Sequence, residues 1–472
     1  MSRQNRRKHI YIENIEIIDT ANKGKSVAKH DGRIIFVEGG VPGDICNITV
    51  FKRRKKYWEA RIDTIKEKSK NRIEPECEHF GSCGGCKWQN MSYSSQLHFK
   101  QNEVLNNLIR IGGVTIPKHE KILGSKNEYF YRNKMEFTFS NKKWLTNEEI
   151  NNNKEIIDKN ALGFHVPGMF DKVIDLKKCH LQKEPSNKIR TAVRNYAKEN
   201  DLEFFDIRNQ EGLLRNLIIR TSTTNELMVL MQFYKNDTIK IEELMIFLRD
   251  SFPEISSLLF TINKKANNTL YDQDIHCFSG EKFINEKIED LVFKIGPKSF
   301  FQTNSEQAKI LYKKTRELAQ LKGDEVVYDL YTGTGTIAQF ISKKAKIVVG
   351  IDSVDEGIVA ARENAKFNNI NNCIFHTGDM KEIFTEEFIK KNSYPDVIIT
   401  DPPRDGMHKK VVEQILAILP KKIVYVSCNS ATQARDIALL NEKYFVSNIQ
   451  TVDMFPQTHH VENIALLELI KD

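Results

Sequence analysis

Five short apolar runs recur between residues 325 and 428: EVVYDLY, KIVVGID, NCIFHTGD, PDVIITDPP and KKIVYVSC. Stretches with helical patterning separate them. A strand buried on both faces needs near-continuous apolar sequence, and parallel neighbours need a crossover between them. The repetition therefore constrains residues 296–472 to a doubly wound, Rossmann-like α/β sheet. In such a sheet ligands bind beyond the carboxyl ends of the strands. The residues just past each run become the candidate functional ones.

After the first run comes YTGTGT, where Gly333 and Gly335 open a helix and let a ligand approach the backbone. Asp352 ends the second run, 23 residues after Asp329, where an acidic side chain can accept hydrogen bonds from ribose hydroxyls. Asp379 follows the third run and Asp401 the fourth, in TDPPRDG. The third glycine of a G-x-G-x-x-G turn is missing, so nothing demands a pyrophosphate. The nucleoside of S-adenosylmethionine suits the loop better than NAD.

Cys428 ends the fifth run, in VYVSCNS, at the same rim. A thiol there can act as a nucleophile if its pKa, ordinarily about 8.5, is lowered or a base assists. Near the end of the chain, VDMFPQTHHVENIALLELI holds a final strand, with Glu462 just before it. A carboxylate on that loop could serve as a general base. Taken singly, each has a plain structural reading, an inert strand cysteine and a surface glutamate. Their shared place at the sheet rim gives them weight.

The beginning of the chain differs in kind. Residues 1–75 hold 18 Lys/Arg against 10 Asp/Glu, whereas the remaining 397 hold 53 of each. All the excess positive charge thus lies in one N-terminal module, which points to a polyanionic partner. HIYIENIEII, GRIIFVEGG and DICNITVFKRRKKYWEARI alternate apolar and polar residues over 8–68, the pattern of a small OB-like β-barrel. Lys52, Arg53, Arg54, Lys55 and Lys56 stand beside Tyr57 and Trp58. Cations interleaved with aromatics suit RNA phosphates and unstacked bases. The barrel with its charge resembles a TRAM domain, an RNA-binding module.

Between the two lies a mixed segment, 69–295, read as an α+β domain. YRNKMEFTFS, ALGFHVPGMF and LIIRTSTTNELMVLMQFY read as strands; 92–113, 186–200 and 239–251 read as helices. The polar stretch 141–160 reads as a loop. The chain has eight cysteines, and three of them, Cys77, Cys83 and Cys86, crowd into CEHFGSCGGC. In a large chain read as cytoplasmic these are not expected to be disulfides. Thiolates at that spacing call for a metal, zinc or iron. No run of about 18 apolar residues is present, so no membrane span is expected. No apolar stretch follows the basic N-terminus, so the cytoplasm is the expected compartment.

Together these pieces resemble the RNA (uracil-5-)-methyltransferase family, in particular its ribosomal branch with a TRAM domain and an iron–sulfur cluster. The likeness spans nearly the whole chain and rests on an ordered series: the barrel, C-x5-C-x2-C, YRNK, FFQTN, DLYTGTG, DPPRDG, SCN and HHVEN. It implies S-adenosylmethionine-dependent methylation of uridine C5 in RNA, most naturally 23S ribosomal RNA; a monomer is the separate expectation. It implies a 4Fe–4S cluster held by Cys77, Cys83, Cys86 and the distant Cys179. It places cofactor contacts at Gln302, Tyr331, Asp352 and Asp401, the nucleophile at Cys428 and the base at Glu462. Two departures are visible. Ser430 stands where the family commonly has proline after SCN, and Asp352 where glutamate is common.

Other readings are weaker. Radical methylthiotransferases combine iron–sulfur with a TRAM domain but need C-x3-C-x2-C. RNA cytosine-5 methylation would want a second cysteine in the DPPRDG loop. Transfer RNA as substrate, and a non-catalytic RNA-binding assembly factor, stay open at this stage.

Overall fold

The computed structural model describes residues 10–117, 119–151 and 158–471. The basic residues before Ile10 and the centre of the polar 141–160 stretch lie outside the described residues. The chain forms two compact units: residues up to Glu103 together with Phe455–His460, and Val104–Met454 together with the segment from Val461 onward.

The first unit contains a closed five-stranded barrel of order β1-β2-β3-β5-β4. Its strands are β1 (Ile10–Thr20), β2 (Ser26–His30), β3 (Arg33–Glu38), β4 (Ile45–Arg53) and β5 (Tyr57–Glu67). The alternation read from sequence places Ile12, Ile17, Ala28, Ile35, Val37, Ile48 and Val50 inside. The run DICNITVFKRRKKYWEARI is two strands, β4 and β5, turning at residues 54–56. A buried carboxylate sets the EGGVPGD turn. Asp44 accepts from Val41 N (2.7 Å), Ser69 N (2.9 Å) and Arg72 Nη2 (2.6 Å). Burial pushes its pKa up, but the Arg72 guanidinium and the two N–H groups outweigh it and hold it below the usual range. Of the expected cationic run, Lys52 is drawn to Glu59 (2.5 Å), which Lys25 also holds (2.6 Å). Arg53, Arg54, Lys55 and Lys56 are exposed at the turn.

The cysteine loop follows the barrel, then α1 (Tyr93–Arg110), within which the division between units falls. The second unit joins residues 104–295 of the expected central segment to most of the expected C-terminal one, while residues 69–103 and 455–460 belong to the first unit. A seven-stranded sheet has the order β12-β11-β10-β9-β6-β7-β8. It comprises β6 (Lys134–Ser140), β7 (Ala161–Val166), β8 (Met169–Asp175), β9 (Leu214–Thr221), β10 (Leu227–Phe233), β11 (Ser257–Ile262) and β12 (His276–Gly280). Helices α2 (Asn147–Asn151), α3 (Ser186–Glu199) and α4 (Thr238–Ser251) lie between these strands in sequence. The hairpin β13 (Ile284–Ile288) and β14 (Leu291–Ile295) leads to α5 (Ser305–Ala319).

A second seven-stranded sheet has the order β17-β16-β15-β18-β19-β21-β20. Strands β15 (Val326–Leu330), β16 (Ile347–Asp352), β17 (Cys373–Thr377), β18 (Val397–Thr400) and β19 (Lys422–Ser427) are mutually parallel, as the five runs require. Strands β20 (Tyr444–Val452) and β21 (Glu462–Leu469) form an antiparallel pair, and β21 runs antiparallel to β19. Among the described residues no helix is long and apolar enough to cross a membrane.

Candidate active site at the strand ends

The reversal of β21 decides where the last carboxylate falls. Ser427 pairs with Asn463 across the ladder. The next position outward on each strand is Cys428 on one and Glu462 on the other. The two side chains expected to act on one substrate thus share the carboxyl-end rim. Glu462 is only 5% exposed, and Cys428 is half-buried.

Burial pushes the Cys428 thiol up to about 11, and the nearby Glu462 and Asp401 carboxylates push the same way. Burial likewise raises Glu462 well above the ordinary carboxylate range, with Asp401 adding to it. Asp401 itself is pushed up to about 7 by burial. Arg404 opposes both trends, favouring the thiolate of Cys428 and the carboxylate of Glu462. Its backbone is fixed to the cysteine loop: the Arg404 carbonyl accepts from Asn429 Nδ2 (2.9 Å) and Thr432 Oγ1 (3.0 Å).

The loop behind Arg404 has little freedom. Buried Asp436 accepts from Met407 N and Tyr425 Oη, both at 2.7 Å. A Cβ on Gly406, whose φ is +78°, would meet Asp436 Oδ2 and Arg435 Nη2 at 2.6 Å. Helix α6 (Ser430–Leu440) starts just after the cysteine, capped by Asn429, whose side chain accepts from Ala431 N (3.1 Å). Proline would suit this first helical position because its N–H is not needed there. Ser430 instead accepts a hydrogen bond from Asn107 Nδ2 of α1 (2.8 Å), so another restraint stands where proline's rigidity is missing.

The glycine loop is braced from beneath. Asp329 accepts from Thr332 Oγ1 (2.5 Å) and Ala338 N (3.1 Å) through one oxygen, while its other oxygen, buried, has no partner among the described residues. Burial raises Asp329 to about 7, with Asp401 and Asp352 adding to the effect against the Thr332 and Ala338 donors. Tyr331, expected at the cofactor, takes φ +65°, a strained left-handed conformation for a bulky residue. Asp352 accepts from Gly333 N (2.9 Å) and Val354 N (2.8 Å), one bond to each oxygen, which leaves further lone pairs for a ligand. A Cβ on Gly333 would meet nothing within 4 Å, so space is open above this loop. A Cβ on Gly335 would strike Phe375 and Ala361 at 2.8–2.9 Å, so that glycine serves packing. Gln302 lies between β14 and α5, and its carbonyl accepts from Asn133 Nδ2 of YRNK (2.9 Å). Open space over Gly333, the Asp352 lone pairs and an unpartnered Asp329 oxygen suit an adenosine-bearing methyl donor.

Asp329, Asn133 and Arg404 had no assigned task in the sequence reading. Asp329 was visible there only as a strand residue. Arg404 could have been noticed as the charged member of the DPPRDG turn beside a strand-end cysteine.

The cysteines are placed differently from the strand-end residues. Cys77, Cys83 and Cys86 lie in the first unit, between β5 and α1, and Cys179 lies in the second, before α3. Burial raises the thiols of Cys77 and Cys83, and Cys77 adds to the effect on Cys83. Cys83 Sγ accepts from Gly85 N (3.4 Å). Among the described residues no group of three or more His, Cys, Asp or Glu could hold a metal ion. The expected iron–sulfur cluster is therefore not shown.

Comparison with known proteins identifies the family. A profile of the tRNA (uracil-5-)-methyltransferase family matches residues 221–470. A protein of Bacteroides thetaiotaomicron named "uncharacterized RNA methyltransferase" is 54% identical over 452 residues, covering 95% of this chain and all of the relative. A protein of the same name from Porphyromonas gingivalis is 48% identical, covering 96% and 99%. The crystal structure of Pyrococcus abyssi tRNA (uracil-54, C5)-methyltransferase with S-adenosyl-L-homocysteine is similar at TM-score 0.74 and 28% identity, covering 96% of this chain and all of that one. The chain belongs to the tRNA (uracil-5-)-methyltransferase family.

Proposed function

We propose that this S-adenosylmethionine-dependent RNA methyltransferase transfers the methyl group to C5 of a uridine through a covalent Cys428 adduct. The observation that carries the reading is the antiparallel pairing of β19 with β21, which sets Cys428 and Glu462 at one rim. C5 of uracil is a weak nucleophile. Addition of the Cys428 thiolate to C6 makes C5 enolate-like. S-adenosylmethionine supplies an electrophilic methyl when bound, and Gln302, Tyr331, Asp352 and Asp401 are its assigned contacts. Once C5 carries the methyl, Glu462 takes the C5 proton. The C6–S bond then breaks, the double bond returns, and Cys428 leaves as thiolate. The target base must leave its stack, at a cost of a few kcal/mol that is smallest in loop RNA. The exposed Arg53–Lys56 turn of the barrel, in the role of a TRAM domain, supplies sequence-blind phosphate contacts.

The substrate we assign is large-subunit ribosomal RNA, on the likeness of the barrel and cysteine spacing to the ribosomal branch. Transfer RNA is the second reading, favoured by the name of the matching family and of the Pyrococcus abyssi protein. Nucleoside mass spectrometry on both RNA pools from a deletion strain separates them. Loss of 5-methyluridine from 23S RNA with transfer RNA intact is the expected result. Unchanged 5-methyluridine in every pool would sink the activity itself. The reading keeps the expectation of a cytoplasmic monomer.

The four-cysteine ligand set rests on spacing and resemblance alone. If it holds a cluster, protein purified without oxygen contains iron and acid-labile sulfide, and Cys83→Ser loses both. Stoichiometric zinc without sulfide would replace the iron–sulfur assignment.

A further inference from the structure

Two cations face each other at the start of the first large sheet. Lys134 on β6 and Arg220 on β9 are direct cross-strand partners, so their side chains leave the same face. The alternate residues Met135 and Phe137, with Leu217 and Ile219 opposite, fill the other face and are buried. Like charges directly opposed on neighbouring strands are destabilising, and more so when withdrawn from water. Both are withdrawn. Arg220 is 6% exposed, and burial pushes its pKa down to about 10. Burial lowers Lys134 as well, with Arg220 and then Arg132 adding to the effect.

The protein gives this pair little compensation. The Lys134 ammonium makes no hydrogen bond or ion pair among the described residues. Arg220 donates through Nη2 to the Ser299 carbonyl (2.8 Å), while its buried Nε has no partner among the described residues. Glu136, two residues further along the same face of β6, acts favourably on both cations but forms no ion pair with either among the described residues. The pair adjoins the proposed cofactor segment. Lys134 follows Asn133, which holds the Gln302 carbonyl, and Ser299 precedes Gln302 by three residues.

We propose that Lys134 and Arg220 form a subsite for one phosphodiester of the RNA substrate, close to the target uridine. The inference rests on the RNA methyltransferase reading. A phosphodiester brings one negative charge and two acceptor oxygens. Those acceptors suit an ammonium and the unused edge of a guanidinium together. Its arrival turns a repulsive pair into a clamp, so the strain carried by the empty protein favours binding.

Lys134→Met tests this, because it keeps the aliphatic stem and removes the charge. Binding of a labelled single-stranded RNA oligonucleotide of mixed sequence is measured across a salt series, alongside thermal melting of the full chain. The variant is expected to bind RNA about tenfold more weakly at physiological salt, with the slope of log Kd against log salt smaller by about 1. Its Tm without RNA is expected to rise, since one of two opposed cations is gone. Lys134→Arg should restore the affinity and return the Tm to the wild-type value. A merely structural lysine would not yield higher stability together with weaker binding. Unchanged RNA affinity and salt slope in Lys134→Met overturns the subsite. So does a loss of S-adenosylmethionine affinity with RNA binding intact, which would give the anion to the donor's carboxylate. Wild-type protein that binds no RNA overturns the methyltransferase reading along with it.

Discussion

Cys428→Ala is expected to abolish methyl transfer, by about 10⁴-fold or more, while S-adenosylmethionine still binds with near wild-type affinity. The size follows from the chemistry. Without addition at C6 no electron density builds at C5. Sparing of the cofactor follows from position. The cofactor contacts assigned here come from the ends of β15, β16 and β18 and from the Gln302 segment, whereas Cys428 sits at the end of β19. Isothermal titration with S-adenosylmethionine and a labelled methyl-transfer assay on the same preparation check both halves. RNA carrying 5-fluorouridine adds a third arm. Fluorine cannot leave as a proton does, so wild-type enzyme should accumulate a covalent complex that survives denaturation, and Cys428→Ala should form none. Near-normal turnover by the alanine variant would falsify the nucleophile assignment.

The proposed nucleophile starts from an unfavourable state, its thiol held at about 11 by burial and by Glu462 and Asp401. Removing the opposing cation should therefore hurt. Arg404 is fixed by its backbone to Asn429 and Thr432, so its guanidinium charge acts from an anchored turn. Two carboxylates and a thiol crowded out of water make a site that is costly when empty. Such a site improves when charge of the right sign arrives.

How much of this was legible in the sequence differs from element to element. The five parallel strands were legible because doubly buried strands cannot hide their apolar runs. The barrel was legible because one-sided burial forces alternation, although KRRKKYW concealed a turn: a cationic bend and a cationic strand have the same composition. Glu462 could be placed before a last strand. Nothing in ENIALLEL said that the strand runs antiparallel beside β19, and that orientation alone brings its first residue to Cys428. Lys134 and Arg220 were out of reach for the same reason, since 86 residues separate them and only strand register makes them opposed. The restraint on Ser430 was out of reach because its partner, Asn107, is 323 residues away.

Glu462→Gln is expected to stop the reaction one step later than Cys428→Ala. The thiol can still add and C5 can still take the methyl, but the C5 proton has no acceptor. Enzyme joined to methylated RNA should therefore accumulate to about one equivalent, while turnover falls by about 10²–10⁴. Gel-shifted, methyl-labelled adduct after denaturation is the readout; a glutamine variant that turns over freely with no adduct would remove Glu462 from the mechanism. The sign of the pH effect follows from burial, which raises Glu462 above the ordinary carboxylate range, with Asp401 adding to it. Below that raised pKa the carboxyl is protonated and cannot accept the proton, so wild-type proton removal speeds up as pH climbs through it. In the glutamine variant that dependence should vanish. Stability runs the opposite way. Between the ordinary glutamate pKa of about 4.3 and the raised value, the folded state holds a proton that the unfolded chain has released, so stability falls with rising pH. Glutamine has no proton to lose, so Glu462→Gln should melt at a higher temperature than wild type at alkaline pH and close to it at about pH 4. A carboxyl held in a dry site costs the fold stability at the pH where it must ionise, and the two measurements on one variant report both sides of that exchange.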